Sequence, residues 1–448
     1  MISFKTLLVL ILGMPLLVLL FRSNNLNYLL LQFFIFLIPL ASLFFPPGNG
    51  LGITIFDCFL FAGFILSLKK IKKQKNNIYK YPMIFLFFSV LISTVFSNNI
   101  SLALYGFILM LRFYIFYIIM INEVDNFNKV NRLVLLFSLS LIMISIMGFI
   151  QSIYNINFTL YANELNTNSE YKYSGIHSFV RVVGPFSNSL NFSNYLAVGI
   201  FLLMYFFNRD NKLKKILLIL SLILVFSVLI LTLSRGPVLV AIICFFIYLY
   251  FQLNKKMSFL VLGFLFSFLL IFPQFLSDIF ILISNDDKLS RLLNVENLYN
   301  TGRYQLWANS LDSLSDHLFG VGLKNHDYLV TFPPSKFKYY ILDYTPGWKP
   351  FNFHFESVYI AMFMNLGFLG FIGFVYLIYK LIITNYLIHV KSKITNHIRL
   401  SLSLLVASIS FSVIMFANPA LISDLRIMLL FWFILALTQI NYNLYLDE

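Results

Sequence analysis

Charge is what this sequence has least of. Only 11% of its 448 residues are Asp, Glu, Lys or Arg, against roughly a quarter in an ordinary soluble domain, and that shortage excludes a water-soluble globular chain. Cysteine is almost missing too. Cys58 and Cys244 both sit inside apolar runs, where they read as small buried hydrophobes, so neither a disulfide framework nor a thiolate metal site is indicated. No HExxH, CxxC or carboxylate cluster with ligand spacing occurs, and neither a metal nor a cofactor is expected. The glycine patterns of Walker and Rossmann phosphate loops are absent as well, which argues against nucleotide chemistry.

Apolar residues fill the place of the missing charge. They make up 60% of the chain, with aromatics at 18%, and they fall in blocks of about 17–25, enough to cross a hydrocarbon core of roughly 30 Å. Lipid offers backbone polar groups no partner outside their own helix. The fold class is therefore an all-α polytopic membrane protein, a single transmembrane domain over 1–448. Thirteen spans are placed at 4–21, 28–45, 51–68, 82–97, 104–121, 133–153, 192–207, 216–233, 237–253, 258–276, 356–379, 400–417 and 426–440. The first lacks a small-residue cleavage site and reads as a retained span. If one early segment is re-entrant or interfacial, the count is twelve with both ends inside.

A net charge of +14 is compatible with nucleic-acid binding, but its distribution fits topology instead. Short loops rich in Lys and Arg stay cytoplasmic. "KKIKKQKNNIYK" at 69–80 holds six lysines and no acid. Counting spans onward from it places "NRDNKLKK" (208–215), "NKK" (254–256) and 380–399 on the same side, although none of these was used to orient the chain. The outward connections are then 98–103, 154–191, 234–236, 277–355 and 418–425. Loops as long as 154–191 and 277–355 usually carry function.

The outward loops hold the candidate chemistry. In "TLSRGPVL", Arg235 stands between two apolar runs. The plain reading is a guanidinium reaching water. Pro237 suits a helix's first turn, Gly236 could let backbones approach, and a helix starting here aims its amides outward, which suits an anion. In "SFVRVVGPFSNSLNFSNYLA", Arg181 precedes Gly184 and Pro185, and Asn191 or Ser193 could cap the next helix. In "TGRYQLWANSLDSLSDHLFGVGL", Leu306, Trp307, Leu311, Leu314 and Leu318 recur every three or four residues, predicting an amphipathic helix over 303–318. Arg303 falls in its first turn, against the helix dipole. Loop 277–355 as a whole carries seven Lys/Arg against eight Asp/Glu, so an anion site there must rest on a few placed cations. In "WKPFNFHFESVYIAMFMNLGFLGFIGF", His354 and Glu356 stand at the mouth of the next span. His354 could be structural or a general base, with Glu356 orienting it or favouring the helix start. His177, His317 and His326 lack comparable context. Asp57 and Arg112 lie within spans and are either helix-pairing groups or functional ones.

Taken in order, "RVVGPFSNSLNFSNYL", the "SRG" turn before an apolar helix, "TGRYQLWANSL…LFGVGL" in a large external loop, and His354 before "NLGFLGFIGF" resemble the O-antigen ligase and O-antigen polymerase superfamily. The resemblance covers nearly the whole chain. It implies a GT-C-like helical fold in the bacterial inner membrane with the active site facing the periplasm. It implies metal-independent, inverting glycosyl transfer from an undecaprenyl-diphosphate-linked glycan to another repeat unit (polymerase) or to lipid A core (ligase). Matched residue by residue, His354 looks like the base on the acceptor hydroxyl, and Arg181, Arg235 and Arg303 look like the arginines on the diphosphate. Preorganised guanidiniums suit a leaving diphosphate without a metal. Two positions depart from the family pattern: Phe355 follows the histidine where Asn is frequent, and Asn365 precedes the Gly-x-x-Gly. Expected partners are the lipid-linked donor, a glycan or lipid A core acceptor, membrane lipids and a chain-length regulator; nucleic acid is not expected. Polymerase is the first reading and ligase the second. A lipid-linked oligosaccharide flippase would need charges through the bundle centre and chemistry on both faces, and a scaffold would not need the same residue set in two loops.

Overall fold

The computed structural model describes residues 26–43, 60, 63–64, 77–97, 99–154, 181–186, 188–207, 212–253, 317–325 and 357–447. The expected spans 4–21 and 258–276, most of 51–68 with Asp57, and nearly all of the 303–318 helix lie outside these residues. So do Arg303, His354 and Glu356.

The described chain is helical, with no strand among the described residues. In order it forms α1 (Leu26–Leu37), a 3-10 turn (Ile38–Leu43), α2 (Lys80–Val95), α3 (Ile100–Glu123), α4 (Phe127–Tyr154), α5 (Ser189–Met204), α6 (Lys212–Leu231), α7 (Arg235–Gln252), α8 (Val358–Lys391), α9 (Thr395–Ile414), α10 (Ala420–Ser423) and α11 (Leu425–Leu446). Seven of these helices are long and apolar enough to cross a membrane. α1, α2 and α5 are shorter, at 12, 16 and 16 residues. Each span expected within the described residues coincides with a helix. The largest difference in extent is α8, which runs to Lys391 rather than 379.

Burial sorts the helices into shells. α5 and α11 are buried along almost their whole length and form the centre of the bundle. α9 packs on α5, α7 and α8; α8 packs on α2; and α3 lies against α11. On α6 and α2, by contrast, Leu213, Ile216, Leu217, Leu220, Ile84, Phe88 and Leu91 are exposed, as lipid-facing surface would be. Serines inside the bundle turn back on their own helix, as Ser138 does to the Val134 carbonyl at 2.8 Å and Ser145 to the Leu141 carbonyl at 2.8 Å, which satisfies each hydroxyl without a second helix. Arg112 is half-buried on α3.

Candidate anion site at the loop end of the bundle

Hydrogen bonds between turns define the two ends of the bundle. At one end, Val182 N–H donates to the Leu231 carbonyl at 3.3 Å and Val358 N–H to the Met415 carbonyl at 2.9 Å. At the same end Lys324 Nζ donates to the Ile422 carbonyl at 3.1 Å and Asn325 Nδ2 to the Asn99 carbonyl at 3.1 Å. The turns 97–99, 181–186, 231–235, 317–325 and 415–426 therefore gather together. At the opposite end lie Lys80, Lys129, Lys212, Lys214, Lys215, Lys391 and Lys393. That partition is the one the positive-inside reading requires.

Arg181 bonds the turn that leads into Arg235 at the loop end. Arg181 leads an extended stretch that runs beside the end of α6. Its Nε donates to the Thr232 carbonyl at 3.2 Å and its Nη2 to Ser234 Oγ at 3.3 Å. Ser234 is the N-cap residue of α7, yet its side chain makes no capping bond. The hydroxyl accepts from Arg181 and donates to the Thr232 carbonyl at 3.4 Å instead. Arg235 follows as the first residue of α7, half-buried like Arg181. The Arg181 guanidinium thus lies on the turn that leads directly into Arg235. The first intrahelical bond of α7 is Val238 N–H to the Ser234 carbonyl, so the helix's positive end opens at the same place. Leu233 in this turn has φ 53°, a left-handed conformation that costs a branched residue energy and persists only where its surroundings hold it.

Two expectations for these turns need correction. Gly236 does not serve close backbone approach, because a Cβ built there meets nothing within 4 Å. Asn188, not Asn191 or Ser193, caps α5, accepting from Asn191 N–H at 2.7 Å. The helix begins earlier than its apolar run because Asn188 is the residue with extended backbone, and Ser193 Oγ instead donates to the Leu190 carbonyl at 2.8 Å.

Three residues that the sequence did not single out hold the Arg181 segment. Gln151 Oε1 on α4 accepts from Val183 N–H at 2.9 Å and Gly184 N–H at 2.8 Å. Arg426 Nη1 donates to the Pro185 carbonyl at 2.8 Å, and its guanidinium lies 4.1 Å from the Phe186 ring centroid. Arg426 is itself paired to Asp424, Nη2 to Oδ2 at 2.6 Å and Nε to Oδ1 at 2.9 Å. Asp424 also caps α11 and accepts from Asn191 Nδ2 at 3.1 Å. The available signal was "SDLR": opposite charges two apart at the start of a long apolar helix.

The described stretch 317–325 is tied down through "FGVGLKN". α8 breaks at Gly367, φ 72° and ψ −172°, and the break frees backbone groups for pairing. Val321 N–H donates to the Met364 carbonyl and Gly322 N–H to the Asn365 carbonyl, both at 2.9 Å; Phe368 N–H donates to the Leu318 carbonyl at 3.0 Å. The two glycine motifs, distant in sequence, are one structural joint. Asn365, buried, turns its side-chain Nδ2 back to the Ala361 carbonyl at 2.8 Å. His317 and Ser357 both lie at this end, while Arg303 and His354 are outside the described residues.

Comparison with known proteins bears on the same stretch. The family model described as O-antigen ligase matches residues 220–375. The O-antigen polymerase of Salmonella muenchen is 28% identical over 303 residues, covering 62% of this chain and 71% of the relative. Over these stretches the chain is similar to O-antigen ligases and O-antigen polymerases. The superfamily match encloses Arg235, Arg303, His354 and both halves of the glycine joint. Gln151, Arg181, Asp424 and Arg426 lie outside it.

Proposed function

We propose that this protein is a member of the O-antigen ligase and polymerase superfamily, a glycosyltransferase that polymerises undecaprenyl-diphosphate-linked repeat units at the outer face of the bacterial inner membrane. The observation that carries the reading is the bonding of Arg181 to Thr232 and Ser234, directly before Arg235. Together with Arg303, these guanidiniums hold the diphosphate and neutralise the charge it gains on leaving, with no metal needed. His354 takes the proton of the acceptor hydroxyl as that oxygen attacks the anomeric carbon. The bond from carbon to diphosphate oxygen breaks on the opposite face, which inverts the centre and releases undecaprenyl diphosphate. Glu356 orients the imidazole.

The name of the Salmonella relative supports the polymerase, and the description of the matched family model supports a ligase acting on lipid A core. Lipid-linked repeat units supplied without lipid A core separate the two. A polymerase extends them beyond one repeat. A ligase leaves them unextended and joins glycan only when core is added. Loss of transfer in His354→Ala with normal protein level is expected under either reading. Wild-type transfer by that variant would remove the histidine from the mechanism.

A further inference from the structure

The loop end carries a further arginine that a superfamily reading leaves idle. Arg426 is 4% exposed and Asp424 4%. Its three nitrogens bond Asp424 twice and the Pro185 carbonyl once, and its face covers Phe186. With a carboxylate at 2.6 Å the pair presents almost no net charge to a ligand. The Arg426 donors are thus directed at Asp424 and at the backbone of the Arg181 segment.

Burial of such a pair contributes little to stability over an apolar isostere, so its directional contacts indicate what it does. The 183–186 turn is closed by one backbone bond, Phe186 N–H to the Val183 carbonyl at 3.0 Å, with Gly184 at φ 55°. Apart from the Val182 N–H bond to the Leu231 carbonyl just before it, no backbone ladder among the described residues fixes where that turn sits. Gln151 holds its first half through two amides, and Arg426 holds its second half through a carbonyl and a ring. Arg181 is the next polar side chain along the same short segment.

We infer that Arg426, oriented by Asp424, is a positioning residue that sets the place of the Arg181 guanidinium from the C-terminal helix. This rests on the reading of Arg181 as a diphosphate ligand. A guanidinium is needed because only a planar fork can grip the carboxylate with one edge and the Pro185 carbonyl with another donor. A shift of about 1 Å at a positioning contact is enough to cost on the order of a hundredfold in rate.

The test is a double-mutant cycle on the full-length protein in vesicles containing lipid-linked repeat units, with rates normalised to folded, monodisperse protein. Arg181→Lys and Arg426→Lys should each raise the apparent KM for the donor about tenfold. The double variant should be no worse than the weaker single, because both act through one guanidinium. Phe186→Leu, which keeps an apolar filler but removes the aromatic face, should shift KM in the same direction by less; it stands in if Arg426→Lys fails to fold. Multiplying effects, or an unchanged donor KM in both Arg426→Lys and Phe186→Leu beside an impaired Arg181→Lys, would overturn the positioning role. Wild-type kinetics in Arg181→Lys itself would overturn the underlying assignment instead.

Discussion

At the scale of single residues, the loop end works by giving each polar group a specific duty. Ser234 leaves its capping position unfilled in order to accept from Arg181, and Gln151 uses one oxygen for two backbone amides. Gln151→Leu keeps the volume but strands both amides in a buried site, at a cost of about 1–3 kcal/mol each. The expected outcome is a lower unfolding temperature in detergent together with weaker donor binding; an unchanged unfolding temperature would show the amides to be satisfied some other way. Arg235→Ala should lose transfer while inserting normally. Arg235→Lys should also fall at least about tenfold, since an ammonium cannot make the planar two-bond contact with a phosphate. Quantifying product chains against protein level checks both, and full activity in Arg235→Ala would return the residue to reaching for water.

The decisive element is the joint between "FGVGLKN" and the break in α8. A Cβ at Gly320, φ 78°, would lie 2.5 Å from the Asn365 carbonyl oxygen, and one at Gly367, φ 72°, would lie 2.3 Å from the Leu318 carbonyl oxygen. Neither neighbour is a flexible side chain, so backbone must move and the three inter-segment bonds are lost. Gly320→Ala and Gly367→Ala should therefore release the external loop, by upward of about 2 kcal/mol, while leaving the bundle inserted. Limited proteolysis from the outer face reads this as faster cleavage between 277 and 355. Gly236→Ala is the contrasting case, since open space surrounds that position and alanine is the better helix former by about 1 kcal/mol; its unfolding temperature should hold or rise.

For the whole molecule, the turns gathered at one end and Lys80, Lys129, Lys212, Lys214, Lys215, Lys391 and Lys393 at the other make a topology that can be measured. Single cysteines placed in a Cys58→Ala chain, with Cys244 left as the buried residue it is, give the readout. Ala417→Cys, exposed in the loop-end turn, should react with an impermeant maleimide added from the periplasmic side. Asn126→Cys, exposed beside Lys129 at the opposite end, should react only after the membrane is opened. The reverse pattern would invert the molecule and place the arginine pair on the cytoplasmic face.

Membrane residence and the course of the described spans were legible in the sequence, and lysine counts in short loops gave an expected sidedness, because each depends on local quantities: apolar length against bilayer thickness, and charge in short connections. "RVVG", "SRG", "FGVGL" and "NLGFLG" were legible as separate motifs for the same reason. Their relations were not. Arg181 and Ser234 are 53 positions apart, and Arg426 and Pro185 are 241 apart. No local pattern reports which turn a buried guanidinium will face. α8 read as an unbroken apolar span, because the break at Gly367 appears only where the "FGVGL" backbone takes up the freed carbonyls. Only the packing of distant turns at one end decided that Arg181 would bond the turn that leads into Arg235 and that a buried Asp–Arg pair would meet Pro185 and Phe186.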